Sequence, residues 1–259
     1  MSARNGLQRY EKITIFANMK HLFIVLTAAL AVAGCHNATM RTDVYSEDIA
    51  MPAHEGSADS LLMSISLESL KGGDIKETVN GAILSRAFDL GDDFTGSIEE
   101  SAPMYRENLI DEYLNENGGQ DTVTWEDRLT GSFTGVYRGW INYVLSYYSY
   151  RGGAHGIQTV SPIVFDAKTG AIVSEKDLFA PGYEEPVAIL LREAVKASME
   201  KEDPELLGLV DMELVAPNNN FSVSGNGVEW IFQPYEVGPY ALGIVSAGVD
   251  WKQLKPYLK

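Results

Sequence analysis

The stretch WINYVLSYYSYRGGAHG, residues 140–156, constrains the fold of this chain more than any other. Tyr, Val, Ile and Leu occupy nearly every position of its first half, the composition of a strand packed among other strands. It closes in a turn of small residues holding His155, the one histidine expected inside a folded domain. We read it as the central strand of a sheet, joining the N-terminal part of the fold to the C-terminal part.

On the N-terminal side, Met63, Ile65 and Leu67 alternate with Ser64, Ser66 and Glu68, a half-buried strand. Asp74-x-x-Glu77 has the form of a capping box before a helix whose apolar stripe is Ile75, Val79, Ala82, Ile83 and Ala87. Ser97-x-x-Glu100 offers a second box, and Tyr105, Leu109 and Tyr113 share one face of the helix after it. Gly118-Gly119 ends that helix, while Pro103 leaves its start open. Strand character returns at Thr122–Trp125 and at Ser132–Tyr137, and Arg138-Gly139 turns the chain into the central strand.

On the C-terminal side, Thr159–Phe165 is a strand, and the turn Asp166–Gly170 leads to a short strand at Ala171–Val173. A helix opens near Pro186 with Val187, Leu190, Leu191 and Ala194 inward, and a shorter one starts at Asp203-Pro204. Phe221–Ser224 and Val228–Phe232 flank Gly225-Asn226-Gly227 as a hairpin. Gly243–Val249 is the last strand, and Asp250 caps a terminal helix through Leu258. Strands and helices come in blocks rather than in regular alternation. The expected fold is therefore α+β: mainly antiparallel sheet with helices packed against it, in two closely associated subdomains.

Leu22–Ala33 is a 12-residue apolar run, too short for the ~20 residues of a bilayer span, and it reads as the core of a signal peptide. It ends in Val32-Ala33-Gly34-Cys35, the pattern of a bacterial lipobox, with Cys35 the lipidation site and the only cysteine. Met19 is the expected start. The expected organisation is a signal peptide over 1–34, a lipid-anchored tether over 35–56, and α+β domains over 57–152 and 153–259. With Cys35 acylated, the mature chain has neither a disulfide nor a cysteine nucleophile. Its address is the cell envelope, attached to the periplasmic or surface face of a bacterial membrane through the N-terminal lipid.

Charge narrows the partners. The chain has 20 basic and 36 acidic residues; residues 1–34 hold Arg4, Arg9, Lys12, Lys20 and Glu11, which leaves 16 against 35, or −19. Such a surface keeps a protein soluble, repels nucleic acid and anionic lipid, and steers cationic partners inward. No nucleic acid is expected as a partner.

Tests for chemistry mostly fail. His36 and His54 fall in the tether, so His155 stands without the further nitrogen or sulfur ligands of a zinc site, and no metal or other cofactor is expected. His155 is either a hydrogen-bonded turn residue or a base, and a base needs a partner and a cleft. Ser198-x-x-Lys201 and Lys168-Thr169-Gly170 match penicillin-binding motifs in the wrong order. Asp89–Glu100 ends in the glutamate of a calcium loop but has Gly91 and Phe94 where such a loop wants Asp or Asn and Gly. Paired carboxylates for glycoside hydrolysis exist somewhere among 35 acids, with nothing to single out a pair.

Four stretches in order carry a resemblance: Ala154-His155-Gly156, then Phe165–Gly170, then Asp177-Leu178-Phe179, then Pro234–Gly243. Over about residues 153–259 the chain resembles the extracytoplasmic domain shared by RsiV-type anti-sigma factors and the non-catalytic region of PdaC-type peptidoglycan deacetylases. Residues 57–152 resemble the companion domain of those proteins more loosely. The resemblance implies an α+β sensor or binding module outside the membrane, and lysozyme, which RsiV-type proteins recognise, is a cationic partner that suits the acidic balance. The sequence shows neither the anti-sigma segment nor a deacetylase domain with its metal-binding Asp and His, so neither of those activities is expected.

The expectation is a non-enzymatic envelope lipoprotein that binds an envelope protein or glycan, either a lysozyme-like cationic protein or peptidoglycan. The alternatives are a carboxylate-dependent enzyme on cell-wall glycan and a purely structural component. Candidate ligand-binding residues are Tyr235, Glu236 and Tyr240 on the stiff Pro234–Gly243 loop, with His155 and Tyr150 beside them if the sheet brings the loops together. The same rings could instead close the core between the hairpin and the last strand.

Overall fold

The computed structural model describes residues 40–91, 94–117, 123–202 and 204–259, and its compact unit runs from Met40 to Lys259. The expected signal peptide and Cys35 lie outside the described residues. One sheet has five strands in the spatial order β1 (Thr42–Pro52), β2 (Ser60–Leu70), β3 (Trp125–Tyr137), β4 (Trp140–Tyr150) and β5 (Ile157–Asp166). Neighbours are antiparallel except β2 and β3, which run parallel. A parallel pair needs a long crossover, and the chain supplies it through α1 (Lys76–Phe88) and α2 (Ile98–Asn117).

The second sheet is antiparallel, β6 (Phe221–Val223), β7 (Gly227–Phe232) and β8 (Val245–Asp250). Around it lie α3 (Glu175–Leu178), α4 (Glu184–Glu202), α5 (Pro204–Leu207) and α6 (Trp251–Leu254). The molecule is α+β with mainly antiparallel sheet, as expected.

Each half has its own core. Leu61, Met63, Ile65 and Leu67 of β2 bury one face of the large sheet against Val79, Ile83 and Phe88 of α1 and Leu109 and Tyr113 of α2. Val187, Leu191 and Val195 of α4 pack on Trp230 and Phe232 of β7 and on Val245, Ala247 and Val249 of β8. The halves are joined at β5. Gln233 grips Val160 from both sides, its Oε1 accepting from the Val160 amide (3.0 Å) and its Nε2 donating to the Val160 carbonyl (2.6 Å). Asn142, buried on β4, accepts from the Val223 amide at 2.9 Å.

Two buried acids organise the polar interior. Glu175 accepts from the Trp230 indole (2.7 Å), the Tyr183 hydroxyl (2.9 Å) and the Asn219 amide (2.8 Å), so its charge is met by donors on three sides. Asp127 on β3 accepts from Tyr105 of α2 at 2.6 Å, Tyr147 of β4 at 2.7 Å and Arg151 at 3.3 Å.

The structure corrects several expectations. Thr42–Pro52, expected within the tether, is the edge strand β1, paired with β2 from Thr42↔Leu70 to Pro52↔Ser60. An edge strand needs apolar residues on one side only. Tyr45, Ile49 and Met51 supply them, half-buried on the first core, and Asp43 and Glu47 on that same side of the strand interrupt the apolar alternation. His54 accordingly sits in the β1–β2 connection. Of the strand expected at Thr122–Trp125 only Trp125 is in a strand, as the first residue of β3, which runs on without interruption into the strand expected at Ser132–Tyr137, with a bulge between Phe133 and Gly135; Thr122 lies outside the described residues.

The Asp74–Glu77 box does not form, because Ile75 is the N-cap of α1 and has no side-chain cap. The Ser97–Glu100 box is half made, with Glu100 accepting from the Ser97 amide at 3.0 Å, and α2 continues through Pro103. Ala171–Val173 is not a strand but a single bridge, Phe165↔Ile172. Helix α4 begins at Glu184, with Pro186 in its first turn, and the terminal helix is the single turn α6 followed by a 3₁₀ turn ending at Tyr257.

Burial and neighbouring carboxylates raise five tyrosines, among them Tyr113, for which burial is the larger cause and Asp59 the smaller. Tyr45, beside Glu47, is pushed up to about 12. Tyr105 beside Asp127, Tyr143 beside Glu68 and Tyr183 beside Glu175 are raised as well, desolvation being the largest cause in each. Above the ordinary tyrosine value of 10.0 the unfolded chain releases these protons while the folded chain keeps them. Their contribution to stability is complete below that pH and declines as pH rises past it. We expect the urea midpoint to fall steadily above about pH 10. Tyrosinate absorbance should show these rings ionising together with unfolding, and a set of tyrosines that all titrate while the chain stays folded would contradict this.

Candidate functional site

Strand β4, expected at the centre of the sheet, is the fourth of its five strands; it ends at Tyr150, and the chain then turns through Gly152 and Gly153, whose φ angles of +93° and +94° suit glycine. Arg151 anchors this turn from its base. Its guanidinium reaches Asp127 and Glu112 and lies 4.3 Å from the centre of the Trp125 ring. The loop then delivers His155 to the surface and buries Gly156. A Cβ at Gly156 would lie 2.6 Å from the Tyr148 hydroxyl, so this glycine lets Tyr148 close against the loop.

From the other half comes the Pro234–Gly243 loop. The His155 ring stacks on Tyr240, with centroids 3.6 Å apart and planes 13° from parallel. The Tyr240 hydroxyl donates to the Gly156 carbonyl at 2.7 Å. Tyr235 leans on Tyr240 at 5.6 Å, and its hydroxyl lies 3.4 Å from His155 Nε2. His155 Nδ1 lies 3.1 Å from the Gly156 carbonyl. A carbonyl only accepts, so Nδ1 carries the proton and Nε2 faces the tyrosine hydroxyl as acceptor. The described contacts of the imidazole are a carbonyl and phenol groups, with no carboxylate to orient it as a base. It is arranged as a plate in an aromatic stack.

Three expected residues, His155, Tyr235 and Tyr240, are thus brought together. Tyr150 turns to its own loop, donating to the Gly153 carbonyl at 3.1 Å. Glu236 is engaged inside the protein: one oxygen accepts from Asn218 Nδ2 and the other from the Gln233 amide, both at 2.7 Å. It staples the loop that carries Tyr235. Tyr148 completes the cluster, a residue the motifs do not single out. Strand parity is the signal that could have found it, since Tyr148 and Tyr150 project from the same face of β4.

Tyr235 is unusual in two ways. It is 57% exposed, and its φ is +73°, a left-handed conformation that a bulky side chain rarely takes. Strain of this kind persists where the surroundings impose it and gathers at functional positions. Here the surroundings are the Glu236 staple and the contact with Tyr240.

Among the described residues no group of His, Cys, Asp or Glu side chains is placed to hold a metal ion, and no helix is long and apolar enough to cross a membrane. One cleft, of about 1230 Å³, lies elsewhere, between the β1–β2 edge, α1 and the 94–100 segment. His155 and the tyrosines of the cluster are not among its walls.

Residues 176–252 match the family DUF3298, described as a protein of unknown function. That span includes Tyr235, Glu236 and Tyr240 and leaves out Tyr150 and His155. No curated protein matches the chain. A DUF3298 family member from Bacteroides fragilis NCTC 9343 is similar in structure, with TM-score 0.74 and 17% identity over 85% of this chain and 94% of that one. A DUF3298 family protein from Pseudomonas aeruginosa PAO1 gives 0.63 at 17% identity, with the same coverage. At such identity the likeness is one of fold.

Replacing Tyr235 separates strain from contact. Tyr235→Ala and Tyr235→Gly both lose the ring, but only glycine is at ease at this φ. The glycine variant should be the more stable of the two by about 1 kcal/mol in urea unfolding. Equal stabilities would mean that the backbone here is unstrained.

Proposed function

We propose that the chain is a non-enzymatic binding or sensor module of the bacterial cell envelope, held to a membrane by a lipid on Cys35. Its partner is an envelope protein or glycan, a lysozyme-like cationic protein or peptidoglycan, in keeping with the resemblance to the RsiV and PdaC extracytoplasmic domains. The observation that carries this reading is the stack of exposed Tyr235 and His155 about the half-buried Tyr240, assembled from two halves of the molecule on a strained, stapled loop. Such a stack offers rigid contact area at little entropic cost. The one acid in the loop, Glu236, is occupied by its own hydrogen bonds, and the imidazole has phenol and carbonyl neighbours, so the cluster is built to touch a partner rather than to move protons. The acid excess outside the rings steers a cationic partner toward the molecule.

A pull-down with the folded unit Met40–Lys259 against lysozyme and against purified peptidoglycan, at low and high salt, tests this directly. Capture of at least one is expected, reduced by Tyr235→Ala. Lysozyme capture should also weaken as salt rises, because steering between exposed charges is screened within about 8 Å at physiological ionic strength. Absence of capture of either, or capture indifferent to Tyr235, would refute the proposal.

A further inference from the structure

Strand register reveals a surface continuous with the aromatic stack. On the face of the large sheet away from α1 and α2, Ser46 pairs with Ser66, Ser66 with Thr130, and Thr130 with Ser146. Paired residues in neighbouring strands project from the same face, so four hydroxyls form one row across β1, β2, β3 and β4. The row spans three strand spacings, about 14 Å. Ser46 and Thr130 are exposed, Ser66 and Ser146 half-buried. Among the described residues none of the four hydroxyls has a partner within the protein.

The row leads into the rings. Two positions beyond Ser146 on β4 is Tyr148, on the same face, with its hydroxyl against Gly156, and the Gly156 carbonyl holds Tyr240. The surface therefore runs from the stack onto the floor of the sheet past Tyr148, over whose ring the Arg128 guanidinium lies at 5.0 Å.

Its chemistry selects a ligand. The cations near the rings are already neutralised: Arg128 by Glu126, and Arg151 by Glu112 and Asp127. None is left to hold an anion, and the acid excess of the chain repels polyanions. Ser and Thr are under-represented among the residues that anchor protein partners, whereas uncommitted hydroxyls exchange hydrogen bonds readily with the hydroxyls of a sugar. A flat tyrosine face matches the C–H face of a pyranose ring.

Resting on the binding reading above, we infer that the aromatic stack and the open sheet face form one track for an extended, uncharged polysaccharide. Tyr235 and Tyr240 stack on one sugar residue, and the hydroxyl row hydrogen-bonds its neighbours along the glycan. The length of the row accommodates roughly three linked pyranose rings at the strand spacing involved.

The test is calorimetric titration of the unit Met40–Lys259, which contains both cores and all eight strands, with the β-1,4-linked hexamer and dimer of N-acetylglucosamine. Three proteins are compared: the unsubstituted unit, Tyr235→Ala, and the double variant Ser46→Arg with Thr130→Arg, both at exposed positions, whose melting temperature should match that of the unsubstituted unit. The hexamer should bind more tightly than the dimer, and each variant should weaken hexamer binding roughly tenfold or more. Binding that depends on Tyr235 but ignores the floor variant would overturn the track while leaving the binding site. Failure to bind the hexamer, with Tyr235-dependent capture of lysozyme intact, would overturn the polysaccharide and leave the binding module. Failure to bind either would overturn both.

Discussion

A buried carboxylate holds this architecture in register. Asp127 has almost no solvent exposure, and two tyrosine hydroxyls and a guanidinium satisfy its oxygens there. Its partners come from three elements, so one side chain fixes α2 to the sheet, β3 to β4, and the end of β4 to the loop beyond it. Removing it would leave the Tyr105 and Tyr147 hydroxyls without their acceptor and would take one of two carboxylate partners from Arg151. The last of these matters most for function, because Arg151 is where the His155 loop leaves the sheet.

The surface site inherits its order from that interior contact. A glycine turn on its own would leave an imidazole free to sample many positions. With Arg151 clamped between Asp127, Glu112 and the Trp125 face, the loop leaves in one direction and meets Tyr240 with its ring already aligned. The opposing loop is fixed by an independent device, the Glu236 staple, and Gln233 ties the two halves together through Val160. The rings are thus organised before any partner arrives, which lowers the ordering cost of association.

Much of the fold could be read from local pattern. The β2 alternation, the stripes of α1 and α4 and the Gly225–Gly227 turn each rest on contacts close in sequence or on a single periodic face. What escaped detection depended on the rest of the molecule. Strand β1 gains its apolar face only once β2 lies beside it, and β3 runs on through Glu126–Gly131 because β2 pairs with that stretch on one side and β4 on the other. In the site, composition singles out the loops, yet Tyr235 and His155 are 80 residues apart and no periodicity predicts that they meet. Glu236 looked like a recognition residue because a charged group on a stiff loop usually faces solvent. Its hydrogen bonds to Asn218 and to the Gln233 amide appear only when the loop is closed.

A buried acid, acting through Arg151, holds His155 in the stack. The most direct measurement is the proton NMR spectrum of the imidazole. Held 3.6 Å from the Tyr240 ring centre, the His155 ring protons should be shifted strongly upfield by the ring current. In Asp127→Asn, with the β6–β8 half still folded, they should return toward the positions of a free histidine. Unshifted protons in the unsubstituted protein, or an upfield shift that survives the Asp127 substitution, would contradict the account.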